Sequence, residues 1–249
     1  MTGVYALSAG KWTLASACAL IVGLSKTGIP GLSTLFVPLF ALVLPARVST
    51  GALLPLLIVG DVVAVTWYRR HAVWHHLLRL FPWAVAGIVI GFFALGRIND
   101  RQLRPVIGVV VIVMLGVGLW RDLATRGRAE IPSAWWFAAC AGVLAGATTM
   151  LANAAGPVMM VYLLAMRLPK DEFLGTGAWF FAAVNLVKVP FSVGLGLITP
   201  QSLLFDSILS GGVLVGTAAG ILAARRLPQK VFNVTVQALT LGSAVMLLL

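Results

Sequence analysis

The sequence is poor in charge, and this shortage excludes a water-soluble globular domain. Only 10% of its 249 residues are charged, 60% are hydrophobic, and the mean hydropathy is +1.02. Soluble domains carry about 25% charged residues, so this chain has too few polar side chains to cover a globule in water. We therefore predict an all-α integral membrane protein, because helices satisfy their backbone hydrogen bonds inside a bilayer.

Residues that build disulfides, metal centres and catalytic sites are also scarce. Cys18 and Cys140 are the only cysteines, and both lie in apolar runs, so no disulfide framework is expected. His71 and His75 have a helical ligand spacing, but neither the neighbouring His76 nor any nearby carboxylate completes a metal site. No serine–histidine–acid set or phosphate loop is present. We expect no enzyme activity, no cofactor and no metal.

The charge that is present is mostly positive, with 18 Lys and Arg against 7 Asp and Glu. A net charge of +11 is compatible with nucleic-acid binding, but the basic residues lie at segment ends and form no continuous face. The positive-inside rule of membrane proteins explains this placement. We expect a lipid bilayer and no nucleic acid as partner, with Lys26, Arg69 and Arg70 on the cytoplasmic side.

One pattern of small, polar and helix-breaking residues occurs twice in otherwise apolar sequence. The first copy spans 23–31 and contains Gly28, Pro30 and Gly31, and the second spans 142–157 and ends in Gly156-Pro157. An interrupted membrane helix is tolerated only where protein or a water-filled cavity covers the freed backbone groups. Paired interruptions in two halves are typical of secondary transporters with the binding site between them.

Apolar runs long enough to form membrane helices divide the chain into about ten segments. They lie at 8–25, 32–44, 49–68, 79–96, 104–120, 134–150, 156–167, 172–194, 203–222 and 230–248. A spanning helix needs about 20 residues, so the second and seventh segments are predicted to be half-length. We predict a first membrane repeat at 1–121, a cytoplasmic linker at 122–133 and a second membrane repeat at 134–249.

The two halves align with each other. The matched positions are Pro45 with Pro169, Gly51 with Gly175, Asp61 with Asn185, Gly87 with Gly212, and Gly91 with Gly216. Because each half holds an odd number of segments, the second half is expected to insert upside down relative to the first. The paired glycines allow close helix packing, which we assign to contacts between the repeats, with an oligomer interface as the alternative.

The candidate binding residues surround the two interruptions and the ionisable groups inside the segments. Lys26 lies beside two hydroxyls and a helix start, a combination that favours an anion, and Asn153 can donate to an oxyanion. Lys188 is a candidate because placing a cation inside a membrane segment is energetically costly. The predicted substrate-binding residues are Ser25, Lys26, Thr27, Gly28, Thr148, Thr149, Asn153, Asn185 and Lys188.

Each ionisable candidate also has a structural alternative. Lys26 suits a topology-setting lysine at the cytoplasmic interface, and Lys188 is close enough to the outer interface to extend into it. Asp61 is the candidate for proton coupling, because an embedded carboxylate can carry a proton. Pairing of Asp61 with Lys188 across the repeat axis is conceivable. A structural role for Asp61, capping or pairing near the cytoplasmic loop arginines, suits it equally well.

The chain resembles the sulfite exporter TauE/SafE family, also called the TSUP transporters. The resemblance rests on 23–31, on 45–51, on Asp61, on 151–157 and on 168–196. It implies a bacterial inner-membrane, multi-pass permease with two inverted halves around a central path. The implied substrates are small sulfur-containing anions such as sulfite, sulfoacetate or other organosulfonates. Many family members have a glycine-richer first motif than Ser25-Lys26-Thr27.

These observations together predict a secondary transporter that exports a small anion by alternating access, with H⁺ as the candidate coupling ion. A passive anion channel and a permease for another small anion are the alternatives. A membrane enzyme or a structural partner would need a catalytic constellation or a sizeable soluble domain, and the sequence has neither.

Overall fold

The computed structural model describes residues 7–94 and 135–248, and all regular structure in these two stretches is helical. The described helices are α1 (Ala9–Thr27), α2 (Ser33–Val43), α3 (Ala46–Tyr68), α4 (Trp74–Ala94), α5 (Trp135–Ala152), α6 (Gly156–Ala165), α7 (Lys170–Gly194), α8 (Pro200–Arg226) and α9 (Gln229–Leu248). Five of them, α3, α4, α5, α7 and α8, are long and apolar enough to cross a membrane. The prediction of an all-helical, multi-pass membrane protein is therefore confirmed.

The helices fall where the hydropathy pattern places them, with one difference of note. The fourth helix begins at Trp74, earlier than the predicted residue 79, so His75 and His76 lie in its first turn and not in a loop. The predicted fifth segment at 104–120 and the linker at 122–133 lie outside the described residues.

The second and seventh predicted segments are short helices, as expected from their length. The helix α2 has 11 residues and α6 has 10, so at about 1.5 Å per residue each covers roughly half of a hydrocarbon core of about 30 Å. The chain enters α2 through Gly31, with φ at 112°, and approaches α6 through Asn153, with φ at 53°. Both backbones are therefore broken by a residue in a left-handed conformation.

In two helix pairs, a helix from the first half of the chain packs parallel to a helix from the second half. In the α1–α8 pair, Gly23 packs on the backbone oxygen of Val213 and Gly216 on that of Leu20. In the α4–α5 pair, Gly146 packs in the same way on Ala84, and Gly87 on Val143. Each half thus places its first helix against the fourth described helix of the other half, with glycines at both close approaches.

These contacts shift the predicted internal alignment by one helical turn. Gly91 lies against the backbone oxygen of Ala147, and Gly220 makes the equivalent contact with Leu24. The contacts therefore match Gly87 with Gly216 and Gly91 with Gly220, so the alignment of Gly87 and Gly91 with Gly212 and Gly216 is wrong. Because glycines recur every four residues along α8, the sequence offers two equivalent registers and only the packing distinguishes them.

The helices α3 and α7 cross the centre of the molecule in opposite directions. Gly51, near the start of α3, packs against Leu197 just beyond α7, and Gly175, near the start of α7, packs against Tyr68 and His71 at the end of α3. Asp61 and its aligned residue Asn185 meet between these two contacts. The α3–α7 pair therefore brings the polar residues of both halves to one place.

We expect a Gly216→Ala substitution to destabilise the protein and a Gly211→Ala substitution to leave it intact. A Cβ at Gly216 would overlap the backbone of Leu20, whereas nothing lies within 4 Å of a Cβ at Gly211 on the same helix. Overpacking of this kind typically costs about 1–3 kcal/mol. The melting temperatures of the two detergent-solubilised variants, measured by thermal aggregation, give the difference. Equal melting temperatures would contradict the α1–α8 contact.

Candidate functional site

A cavity lies between the two broken stretches. Most of its wall is apolar and comes from α6 and from the first half of α7, including Met159, Met160 and Phe181. The polar side chains that line it are those of Ser25, Lys26, Thr149, Asn153 and Asn185. A largely apolar cavity with a few convergent polar groups has the character of a small-ligand site.

Lys26 reaches this cavity from the last turn of α1 and forms an ion pair with the centre of α3. Its Nζ lies 2.6 Å from Asp61 Oδ1, and the side chain is only 9% exposed. The other oxygen of Asp61 accepts a hydrogen bond from Asn185 Nδ2 at 2.6 Å. The Lys26 ammonium also lies 4.8 Å from the centre of the Phe181 ring, a cation–π distance. Lys26 is therefore a buried cation held between a carboxylate and an aromatic ring.

Lys188 is the second buried cation, and its partners are neutral. The side chain is 1% exposed, and Nζ donates to Asn153 Oδ1 at 2.5 Å and to Thr149 Oγ1 at 3.2 Å. Asn153 in turn donates from Nδ2 to the Thr50 backbone oxygen at 3.0 Å, which fixes the amide orientation. Lys188 itself does not line the cavity, but both of its partners do.

The cluster formed by Lys26, Asp61, Asn185, Lys188, Asn153 and Thr149 holds two lysines and, within the described residues, one carboxylate, which is bound to Lys26. With both lysines protonated, the cluster carries one positive charge in excess. The Asp61–Lys188 pair that the sequence allows does not form, since the partners of Lys188 in the described part of the chain are Asn153 and Thr149. A buried ammonium without a counter-charge is costly, so an anion in the adjacent cavity would stabilise the protonated form of Lys188.

Two hydroxyl groups are free to donate into the cavity. Thr149 Oγ1 accepts from Lys188, and its own hydrogen has no acceptor among the described residues. Ser25 lines the cavity one residue before Lys26, and its hydroxyl has no hydrogen-bond partner in the described stretches. Both groups lie beside a lysine, so a bound oxyanion would meet hydroxyl and ammonium donors together.

Three of the predicted binding residues lie away from the cavity and support helix packing. The Thr27 hydroxyl donates to the backbone oxygen of Thr217 at 2.8 Å, and Gly28 packs on the backbone of Gly220. The Thr148 hydroxyl donates to the backbone oxygen of Leu144 at 2.7 Å. We therefore assign Thr27, Gly28 and Thr148 to the α1–α8 contact and to α5 itself.

Comparison with known families identifies the chain. The family model described as sulfite exporter TauE/SafE matches residues 15–247. The chain belongs to this family. No curated protein and no solved structure matches it. Membership in the TauE/SafE family confirms the resemblance found in the sequence, and it indicates a membrane transporter of sulfite or related anions.

The histidines of this TauE/SafE chain lie apart from the cavity. His76 Nδ1 lies 3.1 Å from the Tyr162 hydroxyl, and the ring of Tyr162 stacks on Phe137. The described residues contain no group of three or more metal-ligating side chains. The position of His76 on the first turn of α4 gives it a packing role against α6.

Two features of this TauE/SafE chain are not predicted from the sequence. The contact of Phe181 with Lys26 depends on how α7 crosses α1, and no local pattern indicates it. The second is Asp206, which is buried within α8, only 4% exposed, and outside the cavity. Its position inside the predicted segment 203–222 was a signal that could have found it.

Proposed function

We propose that the protein is a secondary transporter of a small sulfur-containing anion, sulfite or an organosulfonate, that binds between the two broken stretches. The observation that carries this proposal is a pair of buried lysines with a single carboxylate, beside an apolar cavity with two hydroxyls that have no acceptor in the described residues. Sulfite has a compact set of anionic oxygens, which ammonium and hydroxyl donors can satisfy in place of water. A longer organosulfonate would place its apolar part against the methionines of α6.

The residues of the site take different roles in this proposal. Lys26, Ser25 and Thr149 contact the anion, because each offers a donor at the cavity wall. Lys188 acts from behind Thr149 and Asn153, supplying charge and fixing their side chains. Asn185 and Asp61 position Lys26. Since both oxygens of Asp61 are engaged, we assign it this role in preference to proton transfer.

Alternating access between two inverted repeats is the movement that we propose. The mirrored glycine contacts of α1–α8 and α4–α5, together with the antiparallel α3–α7 pair, support a two-fold relation between the halves at 1–121 and 134–249. The site lies on the proposed axis, where Asp61 meets Asn185. We further propose a bacterial inner-membrane location and export as the direction, both of which rest on the family.

Radiolabelled sulfite flux in proteoliposomes tests the proposal. We expect saturable flux that an excess of unlabelled sulfite or organosulfonate inhibits, and accumulation against a sulfite gradient when an ion gradient is imposed. Protein-free liposomes and liposomes with the Gly211→Ala variant are the controls. Flux that only ever follows the sulfite gradient would indicate a channel instead, and absence of flux for every sulfur anion tested would contradict the substrate class.

A further inference from the structure

Asp206 is a buried carboxyl group that the proposed anion site does not use. It lies near the start of α8, is 4% exposed, and neither of its oxygens has a hydrogen-bond partner in the described residues. The adjacent Phe205 is fully buried and packs on Trp12 of α1, with ring centres 5.2 Å apart. Asp206 is therefore enclosed where α8 packs against apolar side chains.

Among the residues that the structure describes, no charged group compensates Asp206. The titratable side chains described on the two helices that pack most closely on α8 are those of Lys11, Cys18, Lys26, Asp61 and Tyr68. Lys26 and Asp61 are paired with each other, the Tyr68 hydroxyl donates to Thr27, and Lys11 is exposed. Arg47 of α3 has a side chain outside the described part. None of the described groups bonds to Asp206.

A carboxylate in such a place is too costly to remain ionised. Burying a charge without a partner costs far more than the packing around it can return, so the group is held as the neutral acid. Losing the proton would require water or a cation to reach Asp206, and therefore a separation of α8 from its neighbours. The protonation of Asp206 and the packing of α8 are thus linked.

The same packing reaches the anion site through α1. The helix α8 contacts α1 along its length, from the Trp12–Phe205 contact to the contacts of Gly216 and Gly220 with the second half of α1. The last turn of α1 carries Lys26. A change of α8 relative to α1 therefore changes the position of the cation that binds the anion. We propose that Asp206 is the proton-binding site through which a proton gradient drives anion transport, an inference that rests on the proposed function.

An Asp206→Asn variant tests this inference, because asparagine resembles the neutral acid and cannot release a proton. Asp171→Asn, which removes an exposed carboxylate at the start of α7, is the matched control. In the wild type at neutral pH we expect an infrared carbonyl band of a protonated carboxyl group, and we expect Asp206→Asn to remove it. In proteoliposomes the same variant should keep downhill sulfite flux but lose its acceleration by a pH gradient, whereas Asp171→Asn should retain it.

The two readouts separate the inference from the function on which it rests. An infrared band that persists in Asp206→Asn would overturn the proton site, whatever the transport result. Loss of the band together with an unchanged response to the pH gradient would overturn the coupling role. Absence of sulfite flux in the wild type and in both variants would instead reject the proposed substrate and, with it, the coupling of that flux to Asp206.

Discussion

A Lys26→Met variant should lose sulfite flux by about tenfold to a hundredfold at subsaturating sulfite. The ammonium lines the cavity and is buried against Asp61, and a charge-assisted contact contributes about 1.5–3 kcal/mol, where 1.4 kcal/mol is a factor of ten. The substitution also leaves Asp61 without its cation, so the anion would meet an unpaired carboxylate. Initial rates of sulfite uptake in proteoliposomes at matched protein content measure the loss.

The double variant Lys26→Met/Asp61→Asn separates binding from charge balance. It removes one cation and one carboxylate, so the cluster keeps the surplus positive charge of Lys188 that the wild type has. We expect it to recover the melting temperature lost in Lys26→Met, because no buried carboxylate is left unpaired. We do not expect flux to recover. Wild-type flux in the double variant would show that Lys26 only neutralises Asp61.

The helices and their two breaks could be predicted from the sequence because the signals are local. The length of an apolar run indicates directly whether a helix can span the membrane. The short α2 and α6 follow from glycine and proline at 28–31 and 156–157. The register between α4 and α8 could not be predicted in this way. Gly212, Gly216 and Gly220 share one helix face at equal spacing, so neighbouring registers look alike until the backbones are packed.

The two motifs predict where the cavity lies, but not which of the neighbouring side chains line it. Ser25 lines the cavity while Thr27 bonds to α8, and Thr149 lines it while Thr148 bonds to its own helix. Neighbouring residues on a helix point about 100° apart, so a motif locates the break but not the face. The choice of Lys26 as the partner of Asp61 depends on the relative depths of α1 and α3, which hydropathy does not determine.

An Asn153→Asp variant should lose sulfite flux by more than about tenfold, although it removes no cation and changes almost no volume. A carboxylate at this position would pair with Lys188, whose Nζ now bonds to the Asn153 amide oxygen, and it would cancel the surplus charge of the cluster. Like charges brought together at an interface cost several kcal/mol. Asp tolerates the left-handed backbone that Asn153 adopts, so the break itself should persist.

Lys188→Met is the matched comparison for Asn153→Asp. Both variants bring the cluster to zero net charge, one by adding a carboxylate and the other by removing an ammonium. If the charge surplus attracts the anion, their flux should fall by similar factors. The melting temperature of Asn153→Asp should reflect two opposing changes, because Lys188 gains a counter-charge and the hydrogen bond to the Thr50 backbone oxygen is lost. Near-normal flux in Asn153→Asp with a large loss in Lys188→Met would instead show that the ammonium matters as a hydrogen-bond donor to Thr149 and residue 153, and that net charge does not select the substrate.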